Sequence, residues 1–369
     1  MIIRWCSAKK TVYKYGRIVQ IMCSSEERTK MNVVIIGLGH WGPNHLRVFS
    51  TLSGTTVLGA ADISEARTRS FAEKYPTLLF SNDYRELLRE DVDAVIVATP
   101  SASHYAIVKD ALLAGKHVLC EKPLTTNPAE AWELVRLADG CGKVLMVGHI
   151  FMYNPGIRYL AELIRNDVLG EIYYAVGTRT NLGPFRYDVN AAWDLISHDI
   201  YIMNYFFNSR PERVSAVGGC YLSTDNEDVA LVNMIYPGGR LAHVHASWLS
   251  PRKVRQLSII GKKKMALWDD LGAIGPVMLY DRTVIKEMNY ETFGEFQLLA
   301  REGDLVVPKI SQYEPLTSQA VEFLHRCGGV SEAMAEGSAR EGAEVVDILM
   351  TLDQSLKSKS EMVEVKYGA

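Results

Sequence analysis

The hydrophobic positions of this chain fall into two regimes. From Asn32 to about Gly148, short apolar runs alternate with stretches whose apolar residues recur every three or four positions. The runs are VVII at 33 to 36, VLGAA at 57 to 61, AVIVA at 94 to 98, HVLC at 117 to 120 and VLMVG at 144 to 148. Between them lie helical periods such as SEARTRSFAEKY from Ser64 and NPAEAWELVRLADG from Asn127. This alternation predicts an α/β fold with a doubly wound parallel sheet. Asn127 suits an N-cap, Pro128 the first helical position and Gly140 a C-cap.

Past Gly148 the pattern changes. A helix is expected from about Asn154 to Asn166 and a strand near Glu171 to Thr180, followed by a loop, NLGPFRYDVN. In the next run, AAWDLISHDIYIMNYFF, the residues Trp193, Ile196, Ile200, Met203 and Phe207 recur at helical intervals. From Arg213 to about Ile285 the chain reads as consecutive strands with short connections: VSAVGG, DVALVNMIY, RLAHVHASWL, VRQLSIIG, KMALWD and PVMLY. Such runs imply an antiparallel sheet, which DRTVIKEMNYETFGEFQLLAREGD is expected to continue. Helices from about Leu316 to Arg326 and Glu336 to Ser355 close the chain. A large sheet of this kind has one face covered by its own helices and the other available to a second subunit.

At 369 residues the chain exceeds one typical core. The patterns divide it into an extension at 1–30, a nucleotide-binding domain at 31–150 and a second α/β domain at 151–369. The extension precedes Met31, shows no clear period and receives no role. A net charge of −3 argues against a nucleic-acid partner, whose binding surface would show as a basic excess. The six cysteines are scattered without a Cys-x-x-Cys pair, so neither a zinc site nor a disulfide framework is suggested. No apolar run reaches membrane-helix length, and residues 1–30 lack the apolar centre of a secretory signal. The expected setting is the cytoplasm, without membrane or metal.

Candidate chemistry begins at NVVIIGLGHWG, where Gly37, Gly39 and Gly42 follow a β-branched run at Gly-x-Gly-x-x-Gly spacing. Gly37 permits a sharp turn out of the strand, Gly39 a close backbone approach to a pyrophosphate, and Gly42 close packing of the following helix. About twenty residues on, TVLGAAD ends in Asp62, whose carboxylate can accept hydrogen bonds from both ribose hydroxyls of NAD and would repel the extra phosphate of NADP. Alone, the triplet fits an ordinary glycine-rich turn; the succession of strand, glycines, helix, strand and acid selects a dinucleotide site. His40 and Trp41 lie within that turn. At the ends of later strands stand Thr99, Pro100 and His104, and then Glu121, Lys122 and Pro123, where ligands of open α/β sheets bind. Lys122 beside a nicotinamide would hold a substrate hydroxyl. Asp194 and His198, four apart on one helical face, would pair as orienter and base, and the pair would also serve as a helix salt bridge.

The segments GLGHWG, ATPSASH, GKHVLCEKPL, VGHIFMYNP and WDLISHD together resemble the Gfo/Idh/MocA family of NAD(P)-dependent sugar and polyol oxidoreductases. The resemblance implies an N-terminal Rossmann domain, a C-terminal α/β domain with a large open, mostly antiparallel sheet, and a homodimer or homotetramer. It carries over Lys122, Asp194 and His198 as catalytic positions, with His198 as general base and Asp194 as orienter. Lys122 remains an alternative proton acceptor. Within the family, RTNLGPFRYDVNAAWDLISHDI and SWLSPRK are similar to the branch that oxidises the 3-hydroxyl of UDP-linked N-acetylglucosamine or its uronic acid, feeding amino-sugar and surface-polysaccharide synthesis. A diphosphate needs cations and donors. Arg179, Asn181, Arg186, Arg252, Lys253 and Arg255 lie in segments able to reach the cleft, and Tyr153 and Trp193 are candidates for stacking on a sugar or base. Each is equally explained as a surface charge or core aromatic. Two alternatives stand beside this reading: a dehydrogenase of a free sugar or inositol, and a nicotinamide-binding sensor without turnover.

Overall fold

In the computed structural model, residues 30–186, 188–222, 226–286, 298–301, 303–329 and 337–368 are described. The apolar runs of the first half become strands because each is buried on both faces, as parallel strands are. They are β1 (Met31–Ile36), β2 (Thr55–Ala61), β3 (Leu79–Ser81), β4 (Ala94–Val97), β5 (His117–Cys120) and β6 (Leu145–Val147). Their spatial order is β3-β2-β1-β4-β5-β6, all neighbours parallel, with β1 and β4 at the point where the order reverses. The connecting helices are α1 (Gly42–Thr51), α2 (Glu65–Lys74), α3 (His104–Leu113) and α4 (Pro128–Cys141). Asn127 caps α4 by accepting from the Ala129 N–H, and the helix ends at Gly142, in the left-handed region, two residues beyond the expected Gly140. The short β3 carries too few apolar residues to stand out in the sequence.

Beyond β6 come α5 (Pro155–Arg165), β7 (Ile172–Leu182), a π-helical turn at Ala192–Ile196 and α6 (Ser197–Phe207). Six strands follow: β8 (Arg213–Gly219), β9 (Val229–Ile235), β10 (Leu241–Ser247), β11 (Leu249–Gly261), β12 (Met265–Asp269) and β13 (Val277–Tyr280). With β7, β16 (Leu305–Val306) and β17 (Val363–Glu364) they form a nine-stranded sheet in the order β16-β13-β12-β11-β7-β10-β9-β8-β17. Neighbours are antiparallel except β7 and β10, which run parallel because β7 inserts between β10 and β11. The segment expected to prolong this sheet instead supplies β14 (Thr283–Lys286) and β15 (Leu298–Arg301), which pair with each other. Its residues 287–297 and 302 lie outside those described, as do residues 1–29 of the N-terminal extension and Glu336 at the expected start of the last helix.

The closing helices are α7 (Pro315–Cys327) and α8 (Ala339–Lys357). A capping box starts α8: the Ser338 hydroxyl accepts from the Glu341 N–H while the Glu341 carboxylate accepts from the Ser338 N–H. This helix packs against α4 and β6 of the first sheet and against α6 and β8 of the second. Trp132 on α4 donates to Asp347 on α8 at 2.8 Å. A side chain at Gly342 would collide with Val147, so glycine is what lets α8 lie this close to β6. Among the described residues, no helix is long and apolar enough to cross a membrane.

Candidate active site

The turn after β1 has the geometry its glycines require. Gly37 has φ +96°, and a Cβ there would meet the Ala98 carbonyl oxygen at 2.6 Å. A Cβ at Gly42 would collide with the Gly37 carbonyl. At Gly39, by contrast, a Cβ would meet nothing within 4 Å, so this glycine faces open space at the head of α1. That space is a cleft of about 570 Å³ lined by Gly37, Gly39, His40, Trp41, Asp62, Thr99 and Pro100, among others. Asp62, buried at the end of β2, accepts from the Leu38 N–H at 2.7 Å and the Ser64 N–H at 2.9 Å. Arg67 lies 3.5 Å from the same carboxylate. A phosphate approach at Gly39 and a fixed carboxylate one strand away fit the two ends of an adenosine diphosphate moiety, so these residues can hold a dinucleotide.

Lys122 follows β5. Its Nζ donates to the Asp194 carbonyl oxygen at 2.6 Å and lies 3.4 Å from Asp194 Oδ1. The acceptor is positioned by the π-helical turn, a wider form in which carbonyls are offset from their usual donors. Asp194 Oδ2 accepts from Trp248 Nε1 at 3.2 Å, and Arg186 Nη1 reaches Oδ1 at 3.3 Å. Burial lowers the Lys122 ammonium from its usual range, although Asp194 pulls the other way. Burial works to raise the Asp194 carboxyl, but Lys122 and Arg186 outweigh it and hold the group below the ordinary carboxylate range.

His198 stands on the first turn of α6, edge-on to Phe151 with centroids 4.8 Å apart. Its Nδ1 is buried without a hydrogen-bond partner. Burial first, then the charges of Lys122 and Arg179, push its imidazole far below the ordinary value, so the ring is neutral. The expected Asp194–His198 hydrogen bond is not formed: the carboxylate is taken by Lys122, Arg186 and Trp248, and the two residues are separated by the π-helical turn rather than stacked on a regular α-helical face. Asp194 orients the lysine instead.

Sequence reasoning passed over three residues here. Trp248 fixes Asp194. Glu121, one of the expected cofactor contacts, is held from below by His45, whose Nε2 lies 2.9 Å from Glu121 Oε1. His149, immediately after β6, stacks on Tyr201 with centroids 4.2 Å apart, and neither of its ring nitrogens has a partner. Burial and then the Lys122 charge bring His149 down to about 3. A polar residue closing an apolar strand at the sheet's carboxyl end was the available signal for His149.

Several expected ligand contacts are engaged elsewhere. His104 is buried, with Nδ1 2.8 Å from the Pro123 carbonyl and Nε2 2.9 Å from the Thr99 carbonyl, so it clips two strand-end loops together rather than facing a cofactor. Arg179 is buried in a two-pronged pair with Asp199 at 2.7 and 3.2 Å, its guanidinium over the Phe151 ring. Asn181 donates to the Gly183 carbonyl within its own turn. Trp193 points away from the cleft and donates to Asp353 on α8 at 2.7 Å. Tyr153 is only 4% exposed, beneath Arg158. Arg255 pairs with Asp270 at 3.1 Å. Arg252 and Lys253 are exposed on β11.

The comparisons with known proteins bear on the family and the fold. Residues 31–149 match the model of an oxidoreductase family with an NAD-binding Rossmann fold, and residues 157–267 match the GFO/IDH/MocA C-terminal domain. UDP-N-acetylglucosamine 3-dehydrogenase of Acidithiobacillus ferrooxidans is 31% identical over 244 residues, covering 65% of this chain and 74% of that one. Inositol 2-dehydrogenase of Salmonella typhimurium is 29% identical over 180 residues, covering 47% of this chain and 54% of that enzyme. Among solved structures, an inositol dehydrogenase homologue from Azotobacter vinelandii complexed with NADH and myo-inositol superposes with a TM-score of 0.75 at 21% identity, covering 91% of this chain and 98% of that one. That likeness is one of fold.

Proposed function

The chain belongs to the Gfo/Idh/MocA family of NAD(P)-dependent oxidoreductases, and from that premise we propose that it oxidises a secondary hydroxyl, the 3-hydroxyl of a UDP-linked N-acetylated sugar, in amino-sugar or surface-polysaccharide synthesis. The observation that carries the chemistry is the Lys122 ammonium clamped by Asp194 within electrostatic reach of a neutral His198 whose Nδ1 has no hydrogen-bond partner among the described residues. The substrate class rests on the similarity to the 3-dehydrogenase.

When bound, NAD supplies the hydride-accepting carbon. Lys122 donates to the substrate hydroxyl oxygen and fixes it, while the Asp194 carbonyl and carboxylate hold the ammonium in place. His198 takes the hydroxyl proton as the carbon–hydrogen bond breaks, the hydride leaves and the carbonyl forms. The ring is neutral and so in the form a base requires, while the burial that keeps it neutral also lowers its basicity. The Asp62 carboxylate, which lines the cleft, supports a preference for NAD over NADP, so Asp62→Ala should erode that preference. The chain acts as a homodimer or homotetramer through the uncovered face of its nine-stranded sheet, where Tyr174, Leu241, Leu231 and Val217 are 42%, 51%, 40% and 53% exposed.

The test is NADH absorbance with UDP-N-acetylglucosamine, its uronic acid, myo-inositol and glucose side by side. Turnover of a UDP-sugar alone supports the proposal, and turnover of inositol or glucose alone rejects its substrate class. One observation favours that second reading: Arg179 and Arg255, two candidate diphosphate contacts, are already paired with Asp199 and Asp270.

A further inference from the structure

Arg186 enters the nucleotide cleft from outside the nucleotide-binding sheet. Among the described residues, every other one lining that cleft lies between Ile36 and Ile107. Arg186 belongs to the loop between β7 and the π-helical turn, and so extends from the second sheet to the carboxyl ends of the first. Its Nε and Nη2 donate to the two oxygens of Asp188 at 2.9 and 2.5 Å. The remaining contacts are longer: Nη2 to the Ser101 hydroxyl at 3.4 Å and Nη1 to Asp194 Oδ1 at 3.3 Å. The guanidinium is thus held firmly by one partly exposed carboxylate on its own loop and only loosely by the cleft. Arg67 and Arg85 also line the cleft, but Arg67 lies against Asp62 and Arg85 against Asp83 and Asp110.

A planar guanidinium presents five donors suited to phosphate oxygens, and a dinucleotide brings one anionic group, its pyrophosphate, into a cleft where Arg186 is already a wall. Resting on the NAD-dependent reading above, we propose that Arg186 is a cofactor-binding residue supplied by the second domain, which exchanges Asp188 for the anionic backbone of the dinucleotide. Asp188 is then a competitor that occupies the guanidinium when the cofactor is absent. Because Arg186 also touches the carboxylate that holds Lys122, cofactor occupancy is linked to the charge around the catalytic lysine.

The experiment is equilibrium binding, read by calorimetry on the full chain with NAD, ADP-ribose and adenosine. Arg186→Gln should weaken NAD and ADP-ribose on the order of tenfold, the usual effect of losing a charge-assisted contact, and leave adenosine unchanged. Arg186→Lys should recover part of that loss. Asp188→Asn should tighten NAD several-fold, the opposite sign to that expected if the Arg186–Asp188 pair merely stiffened the loop. Thermal unfolding of each variant confirms a folded chain. Wild-type affinity for NAD in Arg186→Gln, or weakening in both Arg186→Gln and Asp188→Asn, overturns the proposal. Failure of the wild type to bind NAD or NADP would instead reject the dehydrogenase reading on which it rests.

Discussion

At the scale of single residues, the candidate site centres on a lysine whose ammonium is held by Asp194, from another part of the chain. Lys122→Ala should lower turnover by about 10²- to 10⁴-fold while NAD binding is retained, which stopped-flow absorbance and calorimetry together can establish. A sensor without turnover would lose nothing measurable in the first assay. His149 gives a pH dependence of stability. Its folded value of about 3 lies below the ordinary 6.5, so between those limits the unfolded chain binds a proton that the folded chain does not. Stability is therefore complete above pH 6.5, falls as the pH drops towards 3, and this contribution is exhausted below it. His149→Phe, which keeps a ring against Tyr201, should flatten that slope by up to about 1.4 kcal/mol per pH unit, measured by urea unfolding between pH 4 and 7. Lys122 and His198 were legible because their residue types recur in recognisable local strings. The partners of Asp194 were not, since Trp248 and Arg186 meet it only through the tertiary fold.

At the scale of elements, the turn after β1 separates two uses of glycine. Gly42 is required by packing, whereas Gly39 borders the open cleft. Gly42→Ala should destabilise the chain by about 3 kcal/mol or more in chemical denaturation, because the new methyl collides with backbone. Gly39→Ala should leave the unfolding midpoint in place and weaken NAD by roughly tenfold or more, through loss of the close phosphate approach. The longer strands of both sheets are readable from their apolar patterns, as is the amphipathic run around Trp193, whereas the short β3, β16 and β17 are not. The π-helical turn is not readable either, because a single widened turn leaves the apolar spacing of its neighbours almost unchanged. The position of β7 is equally hidden: sequence order places it before α6, yet pairing sets it in the middle of the second sheet. Trp193 and Arg179 suggest ligand contacts in the sequence for the same reason. Their types suit a sugar site, and only three-dimensional packing reveals Asp353 and Asp199 as their partners.

For the whole molecule, the uncovered face of the nine-stranded sheet sets the expected assembly. Tyr174 and Leu241 lie opposite each other on β7 and β10, both outward. The double variant Tyr174→Glu with Leu241→Glu should lower the mass seen by light scattering to that of one chain, and a monomeric wild type would reject association through this face. At the opposite side, α8 lies against both sheets, so the nucleotide-binding half is completed by residues made near the end of synthesis. The six parallel strands are on hand once Val147 has been translated, but the side of α4 that carries Trp132 and the flank of β6 stay bare for roughly two hundred further residues. A nascent chain halted before Ser338 would therefore present an apolar seam to chaperones and proteases, and a gene cut after residue 150 would encode a nucleotide-binding unit that lacks its final wall.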